Sequence, residues 1–549
     1  MGHAVVSPGS RSAPLALALA GDLRLRLHVV LDERSAGFCA LGIGKATGVP
    51  AVVLTTSGTA AVELHPAVVE ASQSRVPLVV CTADRPPELR GVGAPQTVDQ
   101  TQLYGRAVRW FCEPGVAEAA TMSTWRSLAA RAVAEATLAP AGPVHLNLAF
   151  RDPLVADPEP LPSARPDGLP WHRVPLRSRV GVPGEAEDGT GVPAAERGVI
   201  VAGAGVDDPE AVHALAAARG WPVLADPPSG CRLPAPATVG AFDALLRHRP
   251  YAETQVPEVV VRLGAAPASK VLAGWLAASG AHQVLVDPER AWIDPERTAG
   301  VVVPADAAAW CRARAAEPGP GPGQWLRSWS EAESVAQEAI DRTLAHHHEV
   351  TEPGLARTLA RALAPGTTLV VSSSMPVRDL EWYAAPRRDL RVLANRGANG
   401  IDGVTSTAVG VALAEAGPTA LLVGDLAFLH DANGLLGLAG RGVDLTLVVV
   451  DNAGGGIFSF LPPARLVEAE RFERLFATPQ GVDLVALAAL HGLPAERVAD
   501  VAGLGAALDE GTQSGGQVRV VVATTDRGAN VAVHDEIHAE VAAGLERST

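Results

Sequence analysis

The chain has 549 residues, 48% hydrophobic and 19% charged, the balance of a soluble globular protein rather than a disordered or fibrous one. At roughly 150 residues per domain this length predicts three or four domains. A formal net charge of −15 argues against nucleic acid or an anionic membrane as partner, so an anionic substrate must be gripped locally against the field of the whole chain. Lys45 and Lys270 are the only lysines, which leaves that role to arginine. The cysteines Cys39, Cys81, Cys112, Cys231 and Cys311 are scattered with no C-x-x-C, the pattern of a reducing compartment such as the cytoplasm, without a disulfide framework or zinc site. No apolar run is long enough to span a membrane. Met1-Gly2-His3 leads directly into a buried-strand pattern, so no signal peptide is expected.

In chain order, Ala4–Val6, His28–Leu31, Ala51–Leu54, Leu78–Cys81 and Val144–Leu148 read as short buried strands. They alternate with helical stretches at Arg34–Thr47, Thr59–Gln73 and Thr124–Thr137, the doubly wound α/β pattern. Pro153–Glu196 is rich in Pro and Gly with little periodicity and reads as a linker. The alternation restarts with Gly198–Ala202, a helix near Pro209–Arg219, and strands at Val259–Leu263 and Gln283–Val286. A second soft segment, Glu317–Gly323, precedes a polar helix running to about His348. The last third gives strands at Thr368–Ser372, Leu390–Leu393, Ala420–Val423, Leu445–Val450 and Gln517–Val522. The fold class expected is α/β, with three doubly wound parallel-sheet domains over 1–165, 190–345 and 350–549.

Chemistry-bearing residues gather at the carboxyl ends of these strands, where open α/β sheets bind ligands. Gly424-Asp425-Leu426 closes one strand, and after an interval that fits a crossover helix over Phe428–Arg441, Asp451-Asn452 closes the next. A carboxylate and an amide oxygen at adjacent strand ends are hard donors suited to Mg²⁺ holding a diphosphate. Gly-Asp after a strand is also ordinary turn chemistry. Ser7-Pro8-Gly9-Ser10-Arg11-Ser12 joins hydroxyls and an arginine to a helix start, which suits a carboxylate ligand as well as a simple N-cap. Asp32-Glu33-Arg34 sits at a strand–helix junction, where acids favour the helix dipole whatever else they do. Thr56-Ser57-Gly58-Thr59 and Ala83-Asp84-Arg85-Pro86-Pro87 repeat the strand–polar-turn–helix arrangement, so Arg11 and Arg85 can converge on one crevice. Ser372–Arg378 and Asn395–Gly403 are the corresponding turns of the last domain, each with an arginine. Gly203-Ala204-Gly205 has two glycines of a dinucleotide turn, but Asp208 stands where the third belongs, which favours a structural turn. His346-His347-His348 reads as a solvated helix end rather than a metal site. There is no H-E-x-x-H, nucleophile elbow or P-loop.

Together, Ser7–Ser12, Asp32–Arg34, Thr56–Thr59, Thr82–Glu88, Asn395–Gly403, Gly424–Leu426 and Asp451–Phe458 occur in the order and rough spacing of one family. The chain resembles, over nearly its whole length, the 2-succinyl-5-enolpyruvyl-6-hydroxy-3-cyclohexene-1-carboxylate synthases, thiamine-diphosphate (ThDP) enzymes of menaquinone biosynthesis. It departs from the general Gly-Asp-Gly…Asn-Asn motif of ThDP enzymes at Leu426 and Asp451, and from the family in having only Met1–His3 ahead of the first strand, where members carry a helix.

The resemblance implies a pyrimidine-binding domain first, a central domain without cofactor and a diphosphate-binding domain last. It implies a homodimer or dimer of dimers, with each cofactor between two subunits. Glu33 matches the glutamate that hydrogen-bonds the pyrimidine N1′ atom, and Ile401 the apolar residue that props the bent cofactor. Asp425, Asn452 and the Gly454 carbonyl match the Mg²⁺ or Mn²⁺ ligands; Ser57, Gln96, Gly424, Leu426, Ile457 and Phe458 fall at further cofactor positions. Arg11, Arg85, Arg378, Arg396 and Ser374 match substrate-handling positions, and Lys270 does so more loosely. The reaction implied is decarboxylation of 2-oxoglutarate and addition of the resulting carbanion to isochorismate. Both substrates are dicarboxylates, for which bidentate arginine is well suited. Another ThDP-dependent 2-oxoacid decarboxylase or an acetolactate-synthase-like enzyme would keep Glu33 and Asp425 but need fewer arginines. An NAD- or nucleotide-binding protein would use Gly203-Ala204-Gly205 instead.

Overall fold

The chain builds three six-stranded sheets, each wholly parallel. The structure, a computed structural model, describes residues 1–156, 163–169, 171, 172, 174, 193–513 and 516–548, with no side-chain description for 510–513. Most of the linker expected over Pro153–Glu196 therefore lies outside the described residues. The first sheet contains β1 (His3–Val6), β2 (Arg26–Val29), β3 (Ala51–Thr55), β4 (Leu78–Asp84), β5 (Trp110–Cys112) and β6 (Pro143–Ala149), in the order β2-β1-β3-β4-β6-β5. The second contains β7 (Gly198–Ala202), β8 (Val223–Ala225), β9 (Thr238–Val239), β10 (Val259–Leu263), β11 (His282–Val286) and β12 (Ala299–Val303), in the order β12-β11-β10-β7-β8-β9. The third contains β13 (Thr367–Val371), β14 (Leu390–Ala394), β15 (Thr419–Gly424), β16 (Leu445–Asp451), β17 (Ala495–Val498) and β18 (Val518–Thr524), in the order β14-β13-β15-β16-β18-β17. The first and third sheets thus share one winding. Their central strands are near-continuous Val, Leu and Ala because helices cover both faces.

Several elements differ from the sequence reading, each for a local reason. β2 spans Arg26–Val29 rather than His28–Leu31, since its register is set by β1, with His3 opposite Arg26 and Val6 opposite Val29. The helix expected over Thr59–Gln73 is two helices, Thr59–Glu63 and His65–Ser74, with Pro66 in the first turn of the second, where its missing N–H costs nothing. The crossover between β15 and β16 is not one helix over Phe428–Arg441. A short helix, Asp425–His430, is followed by 3₁₀ turns at Ala432–Leu435 and Leu438–Gly440. Asp431 ends the helix by turning its carboxylate onto the Ser406 backbone N–H at 2.6 Å, and the glycines that follow do not support regular helix. The edge strands β5, β9, β12 and β17, and the three-residue β8, are too short or too exposed to carry an apolar signature.

The first and third domains share a core. The helix Glu33–Thr47 is capped by Asp32, which accepts from the Ser35 N–H, and ends at Gly48 in the left-handed region. It is buried along nearly its whole length and packs on Val404–Ala414, Phe38, Leu41, Val404 and Ala408 belonging to one cluster. The crossing needs glycine: a Cβ on Gly42 would lie 2.1 Å from the Thr407 carbonyl oxygen.

The central domain is fastened to the third by Arg232, 5% exposed. Its guanidinium donates to the carbonyls of Ala225 and Gly240 in its own domain and of Leu380, Glu381 and Ala384 at the end of the helix Met375–Tyr383. Arg232→Met should strand these buried carbonyls and cost on the order of 3 kcal/mol. A urea unfolding midpoint equal to the parent's would show that they find other partners.

Candidate active site

Four of the candidate turns lie where the winding of the first and third sheets reverses. In the first sheet these are the turns after β1 and β3, which carry Arg11 and Ser57; in the third, the turns after β13 and β15, which carry Ser374 and Asp425. The middle sheet reverses between β7 and β10, where Gly203-Ala204-Gly205 sits. That turn is closed on its neighbour, because a Cβ on Gly203 would fall 1.6 Å from the Ala265 carbonyl oxygen. The cleft beside it, lined by Arg262, Ala265, Ser269 and Glu296, holds about 40 Å³, room for water rather than a dinucleotide. The close approach of Gly203 to Ala265 favours a structural turn.

In the first domain, Arg85 donates to the Ser57 hydroxyl at 2.7 Å and to the Pro95 carbonyl at 3.1 Å. Ser57 donates to the Gln96 carbonyl, and the Gln96 amide donates back to the Ser57 carbonyl, both at 3.0 Å. Gln96 holds φ at +54°, a left-handed conformation pinned through its side-chain amide and its own backbone carbonyl, both bonded to Ser57. Arg11, 8% exposed, donates to the Phe150 carbonyl at 2.9 Å. Burial lowers the Arg85 pKa, and the charge of Arg11 adds to the effect.

In the third domain, β15 and β16 are parallel neighbours, with Gly424 opposite Val450. Asp425, 5% exposed, accepts from the Leu426 and Gly454 backbone N–H groups, both at 2.7 Å. Burial raises its pKa to about 6 despite those bonds, and Asp451 adds repulsion. Asn452 is buried; its Nδ2 donates to Glu352 at 2.7 Å while its Oδ1 has no hydrogen-bond partner. Asp451 turns away and pairs with Arg497 at 2.7 Å. A buried carboxylate and an orphaned amide oxygen on adjacent strand ends, with the Gly454 backbone joined to the carboxylate, form a hard-oxygen donor set that fits Mg²⁺ or Mn²⁺. Ile457 and Phe458 follow in the 3₁₀ turn Gly456–Phe460, Phe458 against Phe476 at 5.6 Å between rings.

The same domain carries the arginines Arg378 and Arg396. Ser374, at φ +76°, precedes the helix Met375–Tyr383 and accepts through its carbonyl from Arg378 at 2.5 Å. A non-glycine residue held there stores strain of the kind that clusters at functional sites. Burial lowers the Arg378 pKa, Arg396 being the largest charge acting on it. Neither arginine forms an ion pair among the described residues. The Arg396 loop is pinned by Glu70 of the first domain, which accepts from the Gly397 and Ala398 N–H groups at 3.0 and 2.6 Å. Ile401, in the same loop, is 39% exposed. Lys270 begins the helix Lys270–Ala278 two residues after Ala268, whose N–H donates to Glu381 on the Arg378 helix.

Glu33 is half-buried in the first turn of its helix, and Asp32 takes the capping role. Burial raises its pKa, with Asp32 and Glu63 adding to the effect. Its neighbours contact the third domain, Asp32 accepting from Asn433 at 2.7 Å and Arg34 donating to the His430 carbonyl at 2.7 Å. Among the described residues, no hydrogen bond or ion pair joins Glu33, or the Arg11–Arg85 group, to Asp425 or Asn452. His347 pairs with Glu536, and among the described residues no group of three His, Cys, Asp or Glu side chains could hold a metal.

Sequence reasoning missed the buried polar residues behind the third-domain turns. Glu352 lies under Asn452, and burial together with Asp379 raises its pKa to about 8. Asp379 approaches His534 at 3.0 Å, and His534 shares a 2.7 Å bond with Tyr383. Each looks ordinary in sequence, because its partner lies far along the chain.

Family comparisons agree with this architecture. Residues 1–103 match the family "Thiamine pyrophosphate enzyme, N-terminal TPP binding domain", residues 190–371 "Middle domain of thiamine pyrophosphate", and residues 378–522 "Thiamine pyrophosphate enzyme, C-terminal TPP binding domain". Thiamine pyrophosphate is ThDP, and the chain is an enzyme of this class. Among curated relatives, the 2-succinyl-5-enolpyruvyl-6-hydroxy-3-cyclohexene-1-carboxylate synthase of Myxococcus xanthus is 45% identical, with 99% of this chain and 95% of the relative covered. The synthases of Thermobifida fusca and Chloroflexus aurantiacus are 46% and 44% identical, covering 99% and 97% of this chain and 96% and 92% of the relatives. The chain belongs to the 2-succinyl-5-enolpyruvyl-6-hydroxy-3-cyclohexene-1-carboxylate synthase family.

Proposed function

We propose that the chain decarboxylates 2-oxoglutarate and joins the remaining four-carbon unit to isochorismate, a step of menaquinone biosynthesis, in the cytoplasm and with Mg²⁺ or Mn²⁺. The observation that supports the substrate class is the Arg378–Arg396 pair: Arg396 is the largest charge acting on Arg378, and neither forms an ion pair among the described residues, although the carboxylates of Asp379 and Asp226 feel their charge. When bound, ThDP supplies the electron sink for decarboxylation and for carbon–carbon bond formation. Asp425, the Asn452 Oδ1 atom and the Gly454 carbonyl hold the metal and, through it, the diphosphate. Gly424, Leu426, Ile457 and Phe458 line that end of the cofactor, and Ile401 presents an apolar surface to its middle. Glu33 holds a proton at the pyrimidine N1′ atom, a role that its raised pKa suits. Ser57 and Gln96 join Arg11 and Arg85 in a second polar wall, while Ser374, Arg378, Arg396 and Lys270 orient substrate carboxylates.

On this reading the active unit is a homodimer or a dimer of dimers. Among the described residues no hydrogen bond or ion pair joins Glu33 to Asp425 within one chain, as expected if the site is shared between the first domain of one copy and the third domain of another. The domains are 1–165 for the pyrimidine end, 190–345 for the central part and 350–549 for the diphosphate end. The test is turnover of 2-oxoglutarate with isochorismate, against pyruvate as a competing 2-oxoacid, with ThDP and Mg²⁺ present. Preferential use of pyruvate would return the chain to a general ThDP decarboxylase or acetolactate-synthase-like role.

Lysine at either arginine keeps the charge but loses two-point geometry. Arg378→Lys and Arg396→Lys should each lower kcat/KM for the dicarboxylates roughly 10- to 150-fold, the equivalent of about 1.5–3 kcal/mol, with ThDP affinity unchanged. Kinetics with each substrate varied separately measure this, and unchanged constants would assign both residues to structure.

A further inference from the structure

We propose that Glu352 is a positioning residue for the cofactor metal, holding the Asn452 amide so that its Oδ1 atom faces the metal position. The inference rests on the metal–diphosphate reading above. Glu352 belongs to neither strand of the Asp425–Asn452 pair. It is the first residue of the helix Glu352–Ala362, capped by Thr351, and it is 2% exposed. Its Oε1 atom accepts from Asn452 Nδ2 at 2.7 Å and from the Thr525 hydroxyl at 3.4 Å, so it spans the ends of β16 and β18.

An amide is ambidextrous: rotated by half a turn, Asn452 would direct an NH₂ group, which cannot ligate, at the metal position. A carboxylate oxygen facing Nδ2 disfavours that alternative, because two acceptor oxygens placed at 2.7 Å with no proton between them repel. The consequence is visible: Nδ2 is satisfied by Glu352, and Oδ1 is left buried without a partner. Leaving a buried amide oxygen unpaired is unfavourable unless something electropositive completes it. On the other strand, Asp425 is oriented separately by the Leu426 and Gly454 N–H groups. Both ligands are thus held by partners of their own, and groups that orient metal ligands typically affect metal affinity about 10- to 100-fold.

Three variants separate positioning from bulk structure. Glu352→Gln keeps the length and an acceptor oxygen, but its own amide can turn and accommodate either orientation of Asn452, so it should weaken Mn²⁺ binding less than the other two. Glu352→Asp keeps the carboxylate but is one methylene too short to reach Nδ2. Glu352→Met keeps the length without an acceptor. The last two should weaken Mn²⁺ binding about 10- to 100-fold in the presence of ThDP, read by the electron paramagnetic resonance signal of free Mn²⁺ and by calorimetry. Melting temperatures without cofactor report folding independently, and if Glu352→Met does not fold, the comparison of Asp with Gln decides. Parent affinity in Glu352→Asp, or equal weakening in Glu352→Gln and Glu352→Asp, would overturn the proposal. Asp425→Ala is the control for the underlying reading: if it binds Mn²⁺ and ThDP as the parent does, the metal site itself is wrong; if it fails while Glu352→Asp binds normally, only the positioning role is.

Discussion

Glu33→Gln should keep its ThDP and lose turnover by about 10²- to 10⁴-fold, the range of a general acid–base contribution. Glutamine retains the side-chain length and a hydrogen-bonding end, so the proposed contact with the pyrimidine ring would survive. What it cannot do is take up and release a proton there. The position suits proton transfer, because Asp32 caps the helix and the Glu33 carboxylate is not needed as a cap. Its half-buried setting and the nearby Asp32 and Glu63 raise its pKa, favouring the protonated form more than in an ordinary surface glutamate. Calorimetric ThDP affinity alongside steady-state turnover separates the two effects. An unaltered kcat in a folded Glu33→Gln enzyme would leave Asp32-Glu33 as helix-dipole chemistry only.

Asp425→Ala should abolish Mg²⁺-dependent ThDP binding. The carboxylate is the anionic member of the proposed donor set, and alanine leaves a dication and a diphosphate with an amide and a carbonyl. It also strips the Leu426 and Gly454 N–H groups of their acceptor, loosening the turn whose carbonyl is the proposed third ligand. Asp425→Asn tells these losses apart: it keeps an acceptor for one or both N–H groups but removes the charge. If charge is what counts, both variants fail in calorimetry with Mg²⁺, and chelating the metal makes the parent enzyme behave like them. Undiminished affinity in Asp425→Ala would reduce Gly424-Asp425 to a strand-ending turn.

The family assignment constrains how these variants should be read. Members of this size and domain pattern match the chain end to end, so losses are expected in one concerted activity rather than in separable domain functions. The arginines matter in the same way. On the proposed reading, Asp425 and Glu33 would serve ThDP chemistry in general, whereas Arg378 and Arg396 would bear on which oxoacid is used.

Much of this was legible in one dimension. The buried parallel strands are short runs of Val, Leu and Ala bounded by polar turns, and the central ones fall where those runs stand: Gly198–Ala202, Val259–Leu263 and Leu445–Asp451. The polar turns are legible too, since a parallel sheet presents successive strand ends at one edge and ligand-bearing residues recur at the strand period. Short edge strands such as Trp110–Cys112 and Ala495–Val498 were not legible, because an edge needs no apolar run. What only the tertiary structure decided is which of these residues meet. Arg85 reaches Ser57 from 28 residues away, Arg378 feels Arg396 across a strand, and Glu352 meets Asn452 from 100 residues away. Propensity and periodicity are local and report burial and direction. The pairing of buried polar groups depends on the winding of the sheets, and the cost of leaving such a group unpaired is met only once the chain has closed around it.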